Sequence, residues 1–97
     1  MTLEELYKVI LDRKKNLPKD SYVTSLFRKG RDGIIQKVGE EATEVVIAAK
    51  NKTREKLVSE VADLWFHTLV LLADRQITIS EILAELEKRK SARRKEN

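Results

Sequence analysis

Cysteine is absent from this chain, and proline (one), glycine (three) and aromatic residues (5%) are scarce. Without cysteine the protein can form neither a disulfide scaffold nor a thiolate metal site. The shortage of glycine and proline disfavours a sheet that depends on many tight turns. The apolar runs are too short for a membrane span, and residues 1–5 are acidic and amphipathic, unlike a signal peptide. We therefore expect a cytoplasmic protein with no membrane partner.

Positive charge is concentrated at the C-terminal end. Residues 88–97 hold six of the 20 Lys and Arg and one of the 16 Asp and Glu, which leaves 14 basic and 15 acidic residues elsewhere. Such an end is typical of a solvated helix terminus, and no aromatic residue that could stack on bases lies near it. We predict one domain over residues 1–90, a basic tail at 91–97, and no nucleic-acid partner.

The apolar residues recur with the helical period, and no stretch shows the alternation of a β-strand. Serine and threonine residues suited to N-caps precede four of the periodic segments: Thr2, Ser21, Thr53 and Thr78. A break is predicted at residues 28–33, which contain two glycines and three cations. The predicted helices span about residues 2–16, 21–27, 32–50, 53–74 and 78–86. The fold class is all-α, with four to five helices.

Two groups of acidic residues stand out within these helices, Glu40-Glu41-x-x-Glu44 and Glu60-x-x-Asp63. The second pair provides the only charges in residues 57–73, where carboxylates are costly to desolvate without a compensating cation. At 100° per residue, Glu41 falls at the edge of an apolar stripe, Glu44 lies one step further out, and Glu40 is outermost. The stripe consists of Ile34, Ile35, Val38, Ala42, Val45, Val46 and Ala49.

The fourth helix is apolar around most of its circumference, apart from a narrow arc with Glu60, Asp63 and His67. A helix of this kind is covered on several sides. Because one chain of 97 residues supplies little cover, we expect a homo-oligomer.

Antiparallel packing of the third and fourth helices would bring Glu41, Glu44, Glu60 and Asp63 together. Oxygen-only ligands of this kind suit Mg²⁺, with Mn²⁺ as an alternative, and such ions bind substrate phosphates. The competing interpretation is a set of ion pairs, because Lys37 and Lys56 each precede a glutamate by four residues. Spacing alone leaves both interpretations open.

Other polar residues have similar alternatives. His67 follows Asp63 by one turn, so an Asp–His hydrogen bond can form, and a core histidine satisfied by a neighbour is favoured over a metal ligand. The cations Arg28, Lys29 and Arg31 are suited to phosphate binding, but from the residues alone an ordinary solvated connection is the preferred interpretation.

The two acidic groups, with their surroundings at residues 37–45 and 60–67, resemble the phosphoribosyl-ATP pyrophosphatase family of histidine biosynthesis. That family lies within the all-α NTP pyrophosphatase (MazG-like) superfamily. Further matches in type and spacing extend the resemblance over about residues 3 to 90: Ser21-Tyr22, Leu26-Phe27 and Gly30.

The resemblance implies a helical bundle of the all-α NTP pyrophosphatase type, completed by dimerisation. It also implies Mg²⁺-dependent hydrolysis of phosphoribosyl-ATP to phosphoribosyl-AMP and pyrophosphate in a homodimer. The implied metal ligands are Glu41, Glu44, Glu60 and Asp63, with Glu40 as a further ligand or the carboxylate that orients the attacking water. The implied substrate-binding residues are Ser21, Tyr22, Arg28, Lys29, Lys37 and His67. The alternatives are a house-cleaning (d)NTP pyrophosphatase and a non-enzymatic helical dimer that binds nucleic acid.

Overall fold

The computed structural model describes the backbone of residues 1–96 and the side chains of residues 1–90. This part of the chain contains five helices and no strand, which confirms the all-α class. The helices are α1 (Leu3–Asn16), α2 (Tyr22–Lys29), α3 (Arg31–Asn51), α4 (Arg54–Asp74) and α5 (Ile79–Glu96). Helix α5 continues ten residues beyond its predicted extent. The side chains of the predicted basic tail, residues 91–97, lie outside the described residues.

The helix starts follow the capping residues in the sequence. The hydroxyl of each predicted cap accepts a hydrogen bond from the backbone N–H three residues later: Thr2 from Glu5 (3.1 Å), Ser21 from Thr24 (3.3 Å), Thr53 from Lys56 (3.2 Å) and Thr78 from Glu81 (3.2 Å). The Glu81 carboxylate also accepts from the Thr78 N–H at 2.7 Å, which closes the predicted capping box. Local chemistry therefore determines where these helices begin.

The break between α2 and α3 is shorter than predicted. Only Gly30 interrupts the helices, at a φ of +90° that strongly favours glycine. A Cβ on Gly33 would lie 3.0 Å from the Cβ of Lys29, so the missing side chain lets the end of α2 approach α3 closely. The predicted six-residue loop is thus a one-residue corner that sets the direction of α3.

The core lies where α1, α2 and α4 meet the first part of α3. Its most deeply buried side chains are Ile10, Leu26, Ile34 and Val70. Two polar contacts tie α1 to the end of α4. The Tyr7 hydroxyl donates to the carbonyl of Ile77, and the Lys14 ammonium donates to the carbonyl of Ala73 at 2.8 Å. These contacts hold the C-terminal end of α4 and the turn after it against α1.

Helices α3 and α4 form an antiparallel hairpin across the short turn at residues 52–53. The predicted apolar stripe on α3 is only partly buried. Ile34 is buried, but Ile35 and Val46 are 49% and 60% exposed, and Ala48, outside the stripe, is buried. Within one chain α3 is covered mainly by α2 and α4, which leaves much of the stripe exposed.

The opposite side of α4 is open. Val58 and Trp65 are 62% and 55% exposed, and Ile79 is the only buried side chain of α5 up to residue 90. Between α4 and α5 lies an apolar groove of about 460 Å³, lined by residues that include Leu64, Trp65 and Leu83. None of the described helices is long and apolar enough to cross a membrane.

Candidate metal centre

The α3–α4 hairpin brings three carboxylates together. Glu41 of α3 and Glu60 and Asp63 of α4 each offer an oxygen, and these oxygens lie within 4.8 Å of one another. Glu60 is buried, Glu41 is partly buried and Asp63 is exposed, so the group runs from the hairpin interior to solvent. Three oxygens at this separation form a set of ligands that suits a hard divalent cation.

Each glutamate of this acidic cluster also has a lysine one turn earlier on its own helix. The Lys37 ammonium lies 3.3 Å from Glu41, and the Lys56 ammonium lies 3.0 Å from Glu60. The hydrogen bond to Glu41 raises the pKa of Lys37, and the hydrogen bond to Glu60, with the charge of that carboxylate, raises the pKa of Lys56. Because the two helices are antiparallel, the lysines lie at opposite ends of the cluster. Both predicted arrangements therefore occur together, convergence of the carboxylates and ion pairs.

The other two predicted carboxylates lie outside this group. Glu44 is exposed on α3, and its charge contributes to the raised pKa of Lys56, so its carboxylate lies toward the Lys56 end. Glu40 is exposed as well, 3.0 Å from the amide nitrogen of Gln36 and 3.7 Å from the Lys37 ammonium. The helical arcs thus ordered Glu41 and Glu40 correctly, while Glu44 does not join the three-residue cluster.

His67 is buried one turn beyond Asp63, with both ring nitrogens in hydrogen-bond contact. Nδ1 lies 2.7 Å from the main-chain carbonyl of Asp63, and Nε2 lies 2.8 Å from the Tyr22 hydroxyl. The predicted Asp–His contact exists, but it uses the carbonyl and leaves the Asp63 carboxylate free to face the cluster. His67 is thus a buried histidine satisfied by its neighbours, as the simpler interpretation predicted.

The remaining predicted substrate residues lie on α2 and at its start. The Ser21 hydroxyl is occupied as the N-cap of α2, and Arg28 and Lys29 are exposed in the last turn. Two contacts were missing from the predicted site: Phe66, whose ring stacks on Tyr22 at a centroid distance of 6.0 Å, and Lys56 as an end of the cluster. The i, i+4 spacing pointed to Lys56, whereas no signal in the sequence pairs Tyr22 with Phe66.

Comparison with known proteins identifies the family of this chain. The family model described as "Phosphoribosyl-ATP pyrophosphohydrolase" matches residues 3–90. The chain is 56% identical over 87 residues to the phosphoribosyl-ATP pyrophosphatase of Geobacter sulfurreducens, which covers 90% of the chain and 81% of that protein. It is 49% identical over 88 residues to the Clostridium novyi phosphoribosyl-ATP pyrophosphatase, covering 91% and 80%.

A further relative is a longer protein. The histidine biosynthesis bifunctional protein HisIE of Halalkalibacterium halodurans is 54% identical over 88 residues, which is 91% of this chain but 40% of that protein. The match to the family spans almost all of the chain and includes both acidic groups. The chain is therefore an enzyme of the phosphoribosyl-ATP pyrophosphohydrolase family.

Proposed function

We propose that this protein hydrolyses phosphoribosyl-ATP to phosphoribosyl-AMP and pyrophosphate, a step of histidine biosynthesis in the cytoplasm. The observation that carries the proposal is the convergence of Glu41, Glu60 and Asp63 in a chain of this family. Hydrolysis breaks the α–β phosphoanhydride, with water supplying the new oxygen and pyrophosphate leaving. The site therefore needs to bind a polyphosphate and to balance its negative charge.

Mg²⁺ is the proposed cofactor, with Mn²⁺ as a substitute. The donor set fits such an ion, because carboxylate oxygens from two facing helices converge and no softer ligand is among them. The proposed ligands are Glu41, Glu60 and Asp63, and Glu44 as a fourth, since its exposed side chain is on the same helix one turn from Glu41. A bound Mg²⁺ neutralises phosphoryl oxygens and lowers the pKa of a coordinated water.

The protein's own residues would bind and orient the substrate around this centre. Lys37 lies beside Glu41 and is held protonated by it, so it can attract phosphate oxygens at that end of the cluster. Arg28 and Lys29 add exposed positive charge on α2. Glu40 is exposed, and its carboxylate lies 3.7 Å from the Lys37 ammonium. It is the proposed carboxylate for orienting the attacking water.

We also propose that the active form is a homodimer. The groove between α4 and α5 is almost wholly apolar, and α5 extends from the core with Ile82, Leu83 and Leu86 exposed. An isolated helix of this length is marginally stable in water, so α5 needs a packing partner. A second copy offers a matching apolar face, because a two-fold interface uses the same patch on both subunits.

Pyrophosphate release tests the substrate. The protein is incubated with Mg²⁺ and either phosphoribosyl-ATP or each of the dNTPs, with chelator-treated protein as control. We expect release from phosphoribosyl-ATP that stops when the metal is removed. Release from dNTPs alone would assign the protein to the house-cleaning type, and release from neither would refute the proposed activity.

A further inference from the structure

The two hydrogen-bond partners of His67 determine which ring nitrogen donates and which accepts. A carbonyl oxygen only accepts, so the contact at 2.7 Å between Nδ1 and the Asp63 carbonyl requires the proton to be on Nδ1. In the neutral ring Nε2 is then the acceptor, and the Tyr22 hydroxyl, 2.8 Å away, must donate to it. His67 is the only histidine in the chain.

This arrangement uses both ring nitrogens. The Nε2 lone pair accepts from Tyr22, and the Nδ1 proton goes to a main-chain oxygen. A neutral His67 bonded in this way has no lone pair for a metal and no proton for a phosphate. The side-chain partner of His67 is therefore Tyr22, and its ring is not available to a metal or a phosphate.

Tyr22 is fixed on two sides and open on the third. Its ring stacks on Phe66 at 6.0 Å and 25°, and it meets the edge of His67 at 5.7 Å. The residue is nevertheless 51% exposed. Tyr22 contacts Phe66 and His67, which follow Asp63 on the antiparallel α4, so it lies at the Lys37 end of the acidic cluster. In agreement, the charge of Tyr22 contributes to the raised pKa of Lys37.

The hydrogen bond between Tyr22 and His67, called the bridge below, also links α2 to α4. Helix α2 packs mainly against α1 and α3. Tyr22, the first residue of α2, reaches across to Phe66 and His67 of α4, close to Asp63. Without the hydroxyl bond, the stack on Phe66 alone would leave the ring free to tilt.

We propose that His67 is a positioning residue, whose Nδ1-protonated ring accepts the Tyr22 hydroxyl and holds the Tyr22 ring beside the acidic cluster for substrate binding. The proposal rests on the proposed function, because it treats Tyr22 as a contact of the nucleotide substrate. It removes His67 itself from the substrate contacts, and it leaves metal binding independent of the bridge.

Kinetics of single-group deletions test the role. We expect Tyr22→Phe and His67→Leu to raise KM for phosphoribosyl-ATP roughly tenfold, with little change in kcat. A change of that size corresponds to the loss of one hydrogen bond. His67→Gln should recover much of the loss, because its amide oxygen can accept from Tyr22. Stabilisation by Mg²⁺, measured as the rise in melting temperature, should stay as in the wild type.

The matched control is Tyr7→Phe, which removes the hydroxyl of the other tyrosine. That hydroxyl donates to the Ile77 carbonyl, where α1 meets the α4–α5 turn. It should lower the melting temperature but leave KM unchanged. An unchanged KM in Tyr22→Phe, or equal KM shifts in both tyrosine variants, would overturn the positioning role.

The tautomer has a test that does not depend on activity. With ¹⁵N-labelled histidine, the single imidazole gives one pair of ring nitrogen signals. At a pH where the ring is neutral we expect proton-bearing Nδ1 and unprotonated Nε2, with the Nε2 signal moving in Tyr22→Phe. A proton on Nε2 would overturn the proposal. If the wild type released no pyrophosphate from phosphoribosyl-ATP, the proposed function would fail. The spectrum would still show whether the hydrogen bond between Tyr22 and His67 forms as proposed.

Discussion

The two faces of α4 invert the usual distribution of residues. On the face toward α3, Glu60 and His67 are buried and have polar partners. Glu60 pairs with Lys56. His67 contacts the Tyr22 hydroxyl and the Asp63 carbonyl. On the other face, Val58 and Trp65 are exposed and line apolar grooves. The polar face is complete within one chain, whereas the apolar face is not. We propose that the chemistry belongs to the hairpin and that a second copy covers the apolar face.

The largest expected effect is on the polar face. Asp63→Asn should lower the rate of pyrophosphate release by at least about 100-fold, because it removes a negative charge from the proposed metal centre. Asp63 is exposed, so the fold should survive. Activity and the Mg²⁺-induced rise in melting temperature are measured together, since a ligand that binds only the native state stabilises it.

The control for this change is Asp74→Asn at the end of the same helix, where the carboxylate pairs with Arg31 and lies outside the cluster. It should retain activity. Wild-type turnover in Asp63→Asn would exclude Asp63 from the site.

A smaller effect is expected on the apolar face. Trp65→Asp should shift the protein toward monomer, with a dimer dissociation constant raised roughly 30-fold, as for a central aromatic residue of an interface. Sedimentation equilibrium measures the change. Val58→Asp should act in the same direction.

Val9→Asp is the control, because Val9 is also partly exposed but belongs to α1 outside the groove. Equal dissociation in Val9→Asp, or a wild type that is monomeric at all concentrations, would contradict the proposed interface. The contrast between the two faces of α4 would then need another explanation.

The smallest effect concerns the ion pair at the buried end of the polar face. Lys56→Met leaves the Glu60 carboxylate without its cation, so the melting temperature without Mg²⁺ should fall and Mg²⁺ should bind several-fold more tightly. Because the folded pKa of Lys56 is raised above 10.5, the difference from the wild type should persist from neutral pH to about that value. It should disappear as the pH rises through the raised pKa, where the lysine becomes neutral.

Titration with Mg²⁺ followed by melting temperature measures both quantities. Lys52→Met, an exposed lysine in the α3–α4 turn, serves as control and should change neither. Weaker Mg²⁺ binding in Lys56→Met would mean that Lys56 supports the metal centre and does not compete with the ion.

Much of the fold follows from residues close in sequence. The hydroxyls of Thr2 and Thr53 are three residues from the N–H groups they accept from, so a helix start can be predicted without knowing the tertiary structure. The same holds for the ion pairs of Lys37 and Lys56, which span one turn. By contrast, the burial of the α3 stripe depends on what packs against it, and the helical period alone does not show that Ile35 and Val46 are exposed within one chain.

The amino-acid sequence alone determined the all-α class, the helix starts and the order of Glu41 and Glu40 around their helix, because each depends on contacts within one or two turns. It also carried the family, through the acidic groups and their surroundings. Only the tertiary structure decided that Glu41 meets Glu60 and Asp63 without Glu44, and that His67 is bonded by Tyr22, 45 residues away. Such contacts depend on the angle and depth at which helices pack, and the repeat within a single helix does not contain that information.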